Sequence, residues 1–465
     1  MAGSYTEFVS AHEGDIKRDI KRLIDIKSVK DEPSADAPYG EGVRRAQLEA
    51  MKFCSELGME VVDCDGRIAY AHYGPEEPYI GIIAHIDVVP EGNGWESDPF
   101  CCTELDGFLV GRGVLDDKGP FVVAAYAVKY LIDNDIKLNY GIRLIMGLDE
   151  ETGMGDVEYY KQNYPQPIFA FTPDAAFPVG HGEKGLFSAN LVSPEIDDGA
   201  ITELHGGVAS NVVADYARAL LAKPLAGVMQ KAAIGSDDIT VSESEAGVLI
   251  EARGRAAHAG KPHSGINANH ILAGFLAESG ALSNTEKTAC EFIARASSSF
   301  DGEQFGIACD DGIFTPLTVI GGIFSKVGNR LVLNINSRYP TVTTADELER
   351  KISQVCAESS FTLENIDGSA PFYMQPDCDV IKLMCGIYNE VTGSDEKPFV
   401  MSGGTYARRL SNAVSYGLEF PDQENEDPEW VGSCHMKNEG LKIERAKLAC
   451  EIYINTLVKL QQVKF

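Results

Sequence analysis

This sequence has no run of the roughly 18 uninterrupted apolar residues that a membrane-spanning helix needs. Its N-terminus lacks a basic start followed by an apolar stretch. Instead, Ile16, Ile20, Leu23 and Ile24 fall at helical spacing, which predicts a surface helix of the mature protein. Basic charge is scarce: 40 Lys and Arg face 70 Asp and Glu, a formal charge of −30. Such a chain repels phosphate backbones and anionic lipid before any specific contact forms, so neither nucleic acid nor a membrane is expected as a partner. The eleven cysteines are odd in number and form no CxxC pair and no zinc-finger spacing, which argues against a disulfide framework or a thiol redox site. They read as mostly buried thiols, the adjacent Cys101 and Cys102 included, and the protein is expected in the cytoplasm. Internal repeats and linkers rich in Gly and Ser are absent too.

What is present suits two folded domains. The chain has 465 residues, 44% of them hydrophobic, and single cores rarely grow past about 250 to 300 residues. Up to about residue 184, short apolar runs alternate with helical segments, the pattern of an α/β sheet layered with helices. Three of the runs end in polar residues: Tyr79 to Ala84 leads into His85, Ile142 to Leu148 into Asp149, Glu150 and Glu151, and Ile168 to Phe171 into Asp174. Ligands of α/β sheets bind beyond the carboxyl ends of the strands, so three such ends point to one shared site. From 186 to 372 the pattern changes: Val248, Ile250, Ala252 and Leu331, Leu333, Ile335 alternate as strands, and Asn267 to Leu276 is helical. Helical periodicity returns at Asp379 to Val391 and Ile443 to Leu460. The simplest architecture is a first domain of residues 1–185 and 373–465, with a smaller α/β domain of residues 186–372 inserted.

The polar ends carry chemistry. In GIIAHIDVVPEGNGW, His85 and Asp87 stand two apart at a strand end, where both side chains point the same way and a carboxylate can fix the tautomer of a metal-bound imidazole. In GRGVLDDKGPFVV, Asp116 and Asp117 precede Lys118, Gly119 and Pro120. This is ordinary helix punctuation, yet a carboxylate held there can bridge two cations. In GLDEETGMGD, Glu150 and Glu151 raise one another's pKa unless a cation compensates, which suits one as ligand and the other as general base. Each motif alone has an ordinary explanation. One ligand from each motif, combined with Asp174 and the late His435, gives five candidate ligands of oxygen or imidazole type at strand ends or in loops, a set suited to zinc or manganese.

In order, HxD, LDDKGP, DEE, the lone aspartate of FTPDAAFPVGHGEKG and the late histidine of GSCHMKNEG resemble the M20 family of metallopeptidases, most closely its dipeptidase branch, over nearly the whole chain. The resemblance implies an α/β fold of two domains: a mixed-sheet di-metal catalytic domain and an inserted lid. It implies two divalent cations per chain, zinc first, with manganese or cobalt as alternatives. Asp116, chosen over Asp117 by the family pattern, would bridge them; His85 and Asp174 would complete one site, and Glu151 and His435 the other. Glu150 would be the general base and Asp87 the orienter of His85. Aspartate at 174, where relatives acting on acylated amino acids or C-terminal residues tend to carry glutamate, favours substrates with a free amino terminus.

In the middle domain, GRAAHAGKPHSGINA resembles the lid motif whose histidine stabilises the oxyanion, here His258, with His263 as rival. Asn211 and Arg338 resemble the residues that hold the substrate's polar groups and free carboxylate, a task suited to a guanidinium fork. MSGGTYARRL resembles the dipeptidase branch's GGTYAR loop, with Gly404, Thr405 and Arg408 lining the pocket. The acidic stretch FPDQENEDPEWVGSCH departs from many relatives. The implied function is hydrolysis of dipeptides with a free N-terminus by a metal-bridged water, with Glu150 as base and His258 on the oxyanion. An aminoacylase-like amidohydrolase of N-acyl amino acids and a catalytically silent binding protein of the same fold are the competing readings. The implied partner is a small peptide; monomer and homodimer both stay open.

Overall fold

Isoleucine-rich segments with no polar alternation become strands covered on both faces, because only helices packed above and below such a strand can remove its apolar side chains from water. The computed structural model describes residues 2–233, 237–421 and 426–465. It divides into two compact units: Met1–Gly182 with Tyr373–Phe399 and Gly404–Phe465, and Glu183–Phe372 with Val400–Gly403. The sequence places the first crossing three residues later, at 185, and does not foresee that 400–403 falls with the second unit.

In the first unit, strands β1 (Glu60–Cys64), β2 (Ile68–Tyr73), β3 (Tyr79–His85), β4 (Gly141–Gly147) and β5 (Phe169–Thr172) lie in one mixed sheet in the order β1-β2-β4-β3-β5, which continues to Ala413–Ser415. β1 and β2 are antiparallel, as are β2 and β4. β4, β3, β5 and Ala413–Ser415 are parallel neighbours. β3 and β4 are buried at every position, which is why neither shows a period of two in the sequence. Their carboxyl ends, with that of β5, open on the same edge of the sheet.

Helix α1 (Ala2–Ile24) is followed by α2 (Glu41–Glu56) and α3 (Lys118–Asp133); α1, α3 and the C-terminal helix Ile443–Leu460 pack together. α3 is buried almost all round, from Phe121 to Val128 without a break, as expected of a helix apolar on every side. The four helical-spaced residues of α1, Ile16, Ile20, Leu23 and Ile24, all lie in the core. Helix Asp379–Thr392 belongs to the same unit and packs on the C-terminal helix. No described helix is long and apolar enough to cross a membrane.

The second unit is built on an antiparallel sheet of eight strands, in the order 239–243, 248–253, 216–221, 201–206, 318–327, 330–339, 185–192 and 362–369. Here burial alternates, with Leu331, Leu333 and Ile335 inward, as a sheet with one covered face requires. Helix Ala268–Glu278 starts at an Asn267 cap whose side chain accepts from Asn269 N.

All eleven cysteines are free thiols. Cys101 departs from the buried expectation and is exposed, while Cys102 is buried.

Candidate metal centre

His85 is the last residue of β3 and is fully buried. Its Nδ1 lies 2.9 Å from the carbonyl oxygen of Asp87 and 3.5 Å from Asp87 Oδ1. A carbonyl can only accept, so Nδ1 carries the proton and the lone pair of Nε2 is left for a cation. Nε2 faces Asp116 Oδ1 at 2.8 Å and Asp174 Oδ2 at 3.8 Å. On the other side of Asp116, Oδ2 lies 2.9 Å from His435 Nε2, which is 3.1 Å from Glu151 Oε1. Two triads result, His85 with Asp116 and Asp174, and Asp116 with Glu151 and His435; in each the ligand atoms lie within 4.8 Å of one another. Ligands held about 2.0 to 2.3 Å from one ion stand roughly 3 to 4 Å apart, so both donor sets fit a divalent cation, and the carboxylate they share is the one that can bridge.

The loops that bring these side chains together are held by buried carboxylates that accept backbone N–H groups. Asp87 accepts from Glu150 N at 3.3 Å and Glu151 N at 3.2 Å, which fixes the turn after β4. Asp156, at the start of α4 (Gly155–Asn163), accepts from Leu148 N at 2.6 Å, Asp149 N at 3.2 Å and the Tyr406 hydroxyl at 2.5 Å. Tyr406 lies over Gly147, the last residue of β4, so closely that a Cβ there would meet its Oη at 2.1 Å. Asp117 stands at the N-cap of α3 without capping it; its carboxylate accepts from His85 N at 3.1 Å. Glu439 accepts from Gly113 N, Leu115 N and Asp116 N at 2.9 to 3.1 Å. Lys118, also buried, donates to the carbonyl of Leu23 in the last turn of α1 and to that of Ile26 just beyond it. The supporting roles of these residues, apart from Asp87, escape sequence reasoning, although Asp117, Lys118, Asp156, Tyr406 and Glu439 all lie in the same short segments as the candidate site residues.

The electrostatics call for cations. In the metal-free protein burial opposes ionisation of Asp116, but protonated His435 and His85 beside it outweigh this and hold its carboxyl far below the usual range. Burial pushes Glu150 and Asp174 well up, and neighbouring carboxylates add to it. Glu151 moves up for the same reasons, with His435 opposing. Burial works against protonated His435, yet Asp116 and Glu151 carry its pKa up to about 11. Two imidazoles thus share the work of compensating more carboxylates than they can neutralise, the situation that bound divalent ions relieve.

The remaining sequence candidates fall as follows. Gly404, Thr405 and Arg408 lie in the first unit; Thr405 caps the short helix Tyr406–Arg409, and Gly404 leaves the room that the Arg408 guanidinium occupies. In the second unit, His258 is exposed and bridges to Val212, with Ala259 N donating to the carbonyl of Asn211, so Asn211 and His258 are close neighbours there. His258 Nδ1 accepts from Gly260 N at 3.2 Å. The rival His263 is instead paired with Asp301 at 2.8 Å. Arg338 is buried near the end of strand 330–339, opposite Leu186 and Thr318. The acidic stretch before His435 lies partly at 422–425, outside the described residues.

The sequence profile described as "Peptidase family M20/M25/M40" matches residues 81–459. "Putative dipeptidase SSP1012" of Staphylococcus saprophyticus is 32% identical, covering 97% of this chain and 98% of its own. "Putative dipeptidase YtjP" of Bacillus subtilis is 30% identical, covering 96% and 97%. Among solved structures, human carnosine dipeptidase 1 superposes with a TM-score of 0.60 at 17% identity, covering 99% of each chain. The di-peptidase Dug1p of Saccharomyces cerevisiae does so with 0.62 at 13% identity, covering 100% and 99%. At these identities the structural likeness speaks for the fold.

Proposed function

Because the chain belongs to peptidase family M20/M25/M40, we propose that it is a two-metal dipeptidase that cleaves small peptides with a free amino terminus. The observation that carries this reading is the pair of triads sharing Asp116. Donors that are all imidazole or carboxylate suit zinc first, then manganese or cobalt. When bound, two such cations would acidify a water and polarise the scissile carbonyl. Asp116 offers one oxygen to each triad, and Asp87, by accepting the amides of Glu150 and Glu151, holds the base beside the ligand. Among the described residues Glu150 belongs to neither triad, and burial raises its carboxyl, which makes it a better proton acceptor. Glu150 takes the proton of the attacking water and returns it to the leaving amine.

The names of relatives 30 to 32% identical over nearly the whole chain support a dipeptide as substrate. His258 as donor to the oxyanion, Asn211 and Arg338 as holders of the substrate's polar groups and free carboxylate, and Gly404, Thr405 and Arg408 as pocket residues complete the proposal on the strength of the family resemblance. The same reading puts the enzyme in the cytoplasm.

The test is hydrolysis of a panel of free dipeptides and N-acyl amino acids by metal-stripped protein, with zinc, manganese or cobalt returned one at a time. Metal-restored cleavage of free dipeptides alone is the expected result; cleavage only of the acylated series, or none, overturns the reading. Glu150→Gln should lower kcat at least about 10³-fold with metal content unchanged, and loss of metal would reassign Glu150 as a ligand.

A further inference from the structure

Arg112 and Glu439 form an ion pair at 2.5 Å, with Arg112 1% and Glu439 0% exposed. A buried pair of this kind is weak support for stability, because removing both charges from water costs about as much as their attraction returns. What distinguishes this one is where its other bonds go. Glu439 Oε1 accepts from Gly113 N, Leu115 N and Asp116 N, so one carboxylate oxygen gathers the loop that ends in the shared ligand. The carbonyl of Glu439 accepts from Gly111 N, and Gly440 pairs with Val110, which anchors Glu439 against the strand leading into that loop.

Arg112 in turn donates from Nη2 to the carbonyl of His435 at 3.3 Å and to that of Glu91 at 3.3 Å, and lies over the Trp95 ring at 5.2 Å. His435 holds a left-handed backbone, φ 64°, which a side chain bearing a Cβ adopts at a cost. A donor on its carbonyl helps keep it there.

We infer that Glu439 and Arg112 are positioning residues, a clamp that sets Asp116 and His435 at the spacing the half-site they share with Glu151 requires. This rests on the two-metal reading of the site. Neither residue touches a substrate or a cation: Glu439 acts through the backbone of Asp116, and Arg112 through that of His435. Loosening the clamp therefore weakens both ions, since both use Asp116, and weakens most the one that also needs His435.

The experiment is titration of the metal-stripped full-length chain with cobalt(II), followed by its visible absorption, for the wild type and Glu439→Gln, with far-ultraviolet circular dichroism and thermal melts of the metal-free proteins alongside. The glutamine keeps the shape but has one acceptor oxygen in place of two, so it cannot serve the loop amides and Arg112 at once. The expected result is a folded variant whose uptake of the weaker ion falls about tenfold or more and whose absorption band shifts, with a smaller loss for the tighter ion. A variant that melts earlier yet titrates as the wild type would show a merely structural pair and overturn the inference. If Glu439→Gln does not fold, the double variant Arg112→Met/Glu439→Gln removes both charges and leaves none uncompensated; weakened cobalt uptake supports the clamp, and wild-type uptake overturns it. Fewer than two ions taken up by the wild type overturns the metal reading, and the clamp with it.

Discussion

The two triads that share Asp116 contain the same chemistry, one imidazole and one further carboxylate each, but the chain supports them differently. The His85 side is made by the parallel sheet: His85 ends β3, its side chain has no exposure, and Asp174 follows β5 with its side chain 17% exposed. The His435 side leans on a loop whose histidine side chain is 53% exposed and whose backbone is left-handed. A strand end sets a ligand's direction by sheet geometry, whereas a loop needs hydrogen bonds from elsewhere to do so. The difference teaches that the first half-site should be rigid and slow to exchange, and the second adjustable and more easily emptied.

The largest effect should come from the residue that belongs to both halves. Asp116→Ala is expected to lose both ions and at least about 10³-fold in kcat, checked by metal analysis and dipeptide turnover; retention of one tight ion would show the halves to be independent. Next, His85→Ala should lose its ion and also destabilise the metal-free fold by about 2 to 4 kcal/mol, because it leaves buried carboxylates without a partner. His435→Ala should lose one ion with little change in stability. Equal losses in chemical denaturation would erase the distinction between sheet and loop.

A smaller effect is expected where the turn after β4 is supported. Gly147→Ala drives a methyl against Tyr406 and should shift Glu150 and Glu151 together, lowering kcat roughly 10- to 100-fold and loosening the ion on the Glu151 side before the other. Competition with a graded chelator would show which ion leaves first.

The smallest effect concerns pH. Burial raises the Asp156 carboxyl to about 6, against hydrogen bonds from Tyr406 and Leu148 that lower it. A folded pKa above the unfolded value of roughly 3.9 means that its stabilising contribution is full below about pH 4 and is lost as pH rises through about 6. The stability advantage of wild type over Asp156→Asn should therefore shrink by about 2 to 3 kcal/mol between pH 4 and 7. Urea melts of the metal-free proteins at both pH values would measure it, and a constant difference would remove Asp156 from the account.

Much of the centre was legible along the chain. The apolar runs ending in His85, in Glu150 and Glu151, and before Asp174 became β3, β4 and β5, with carboxyl ends on one edge of the sheet. The choice of Asp116 over Asp117 came from the family pattern; in the structure Asp116 lies in both triads, and Asp117 turns to the amide of His85. The supporting layer was not legible. Glu439 meets Asp116 across 323 residues, and Tyr406 meets Asp156 across 250. What they recognise is a backbone N–H or a carboxylate, which leaves no pattern of residue types around them.

The sequence by itself determined the donor types, the strands that carry them and the order in which they arrive, because hydrophobic periodicity and side-chain chemistry are local properties. Only the tertiary structure shows how adjacent acids part, Asp116 joining both triads while Asp117 turns to the amide of His85. That parting depends on the backbone path through each loop, and the path is set by acceptors hundreds of residues distant. Buried N–H groups must be satisfied wherever the fold brings a partner to them.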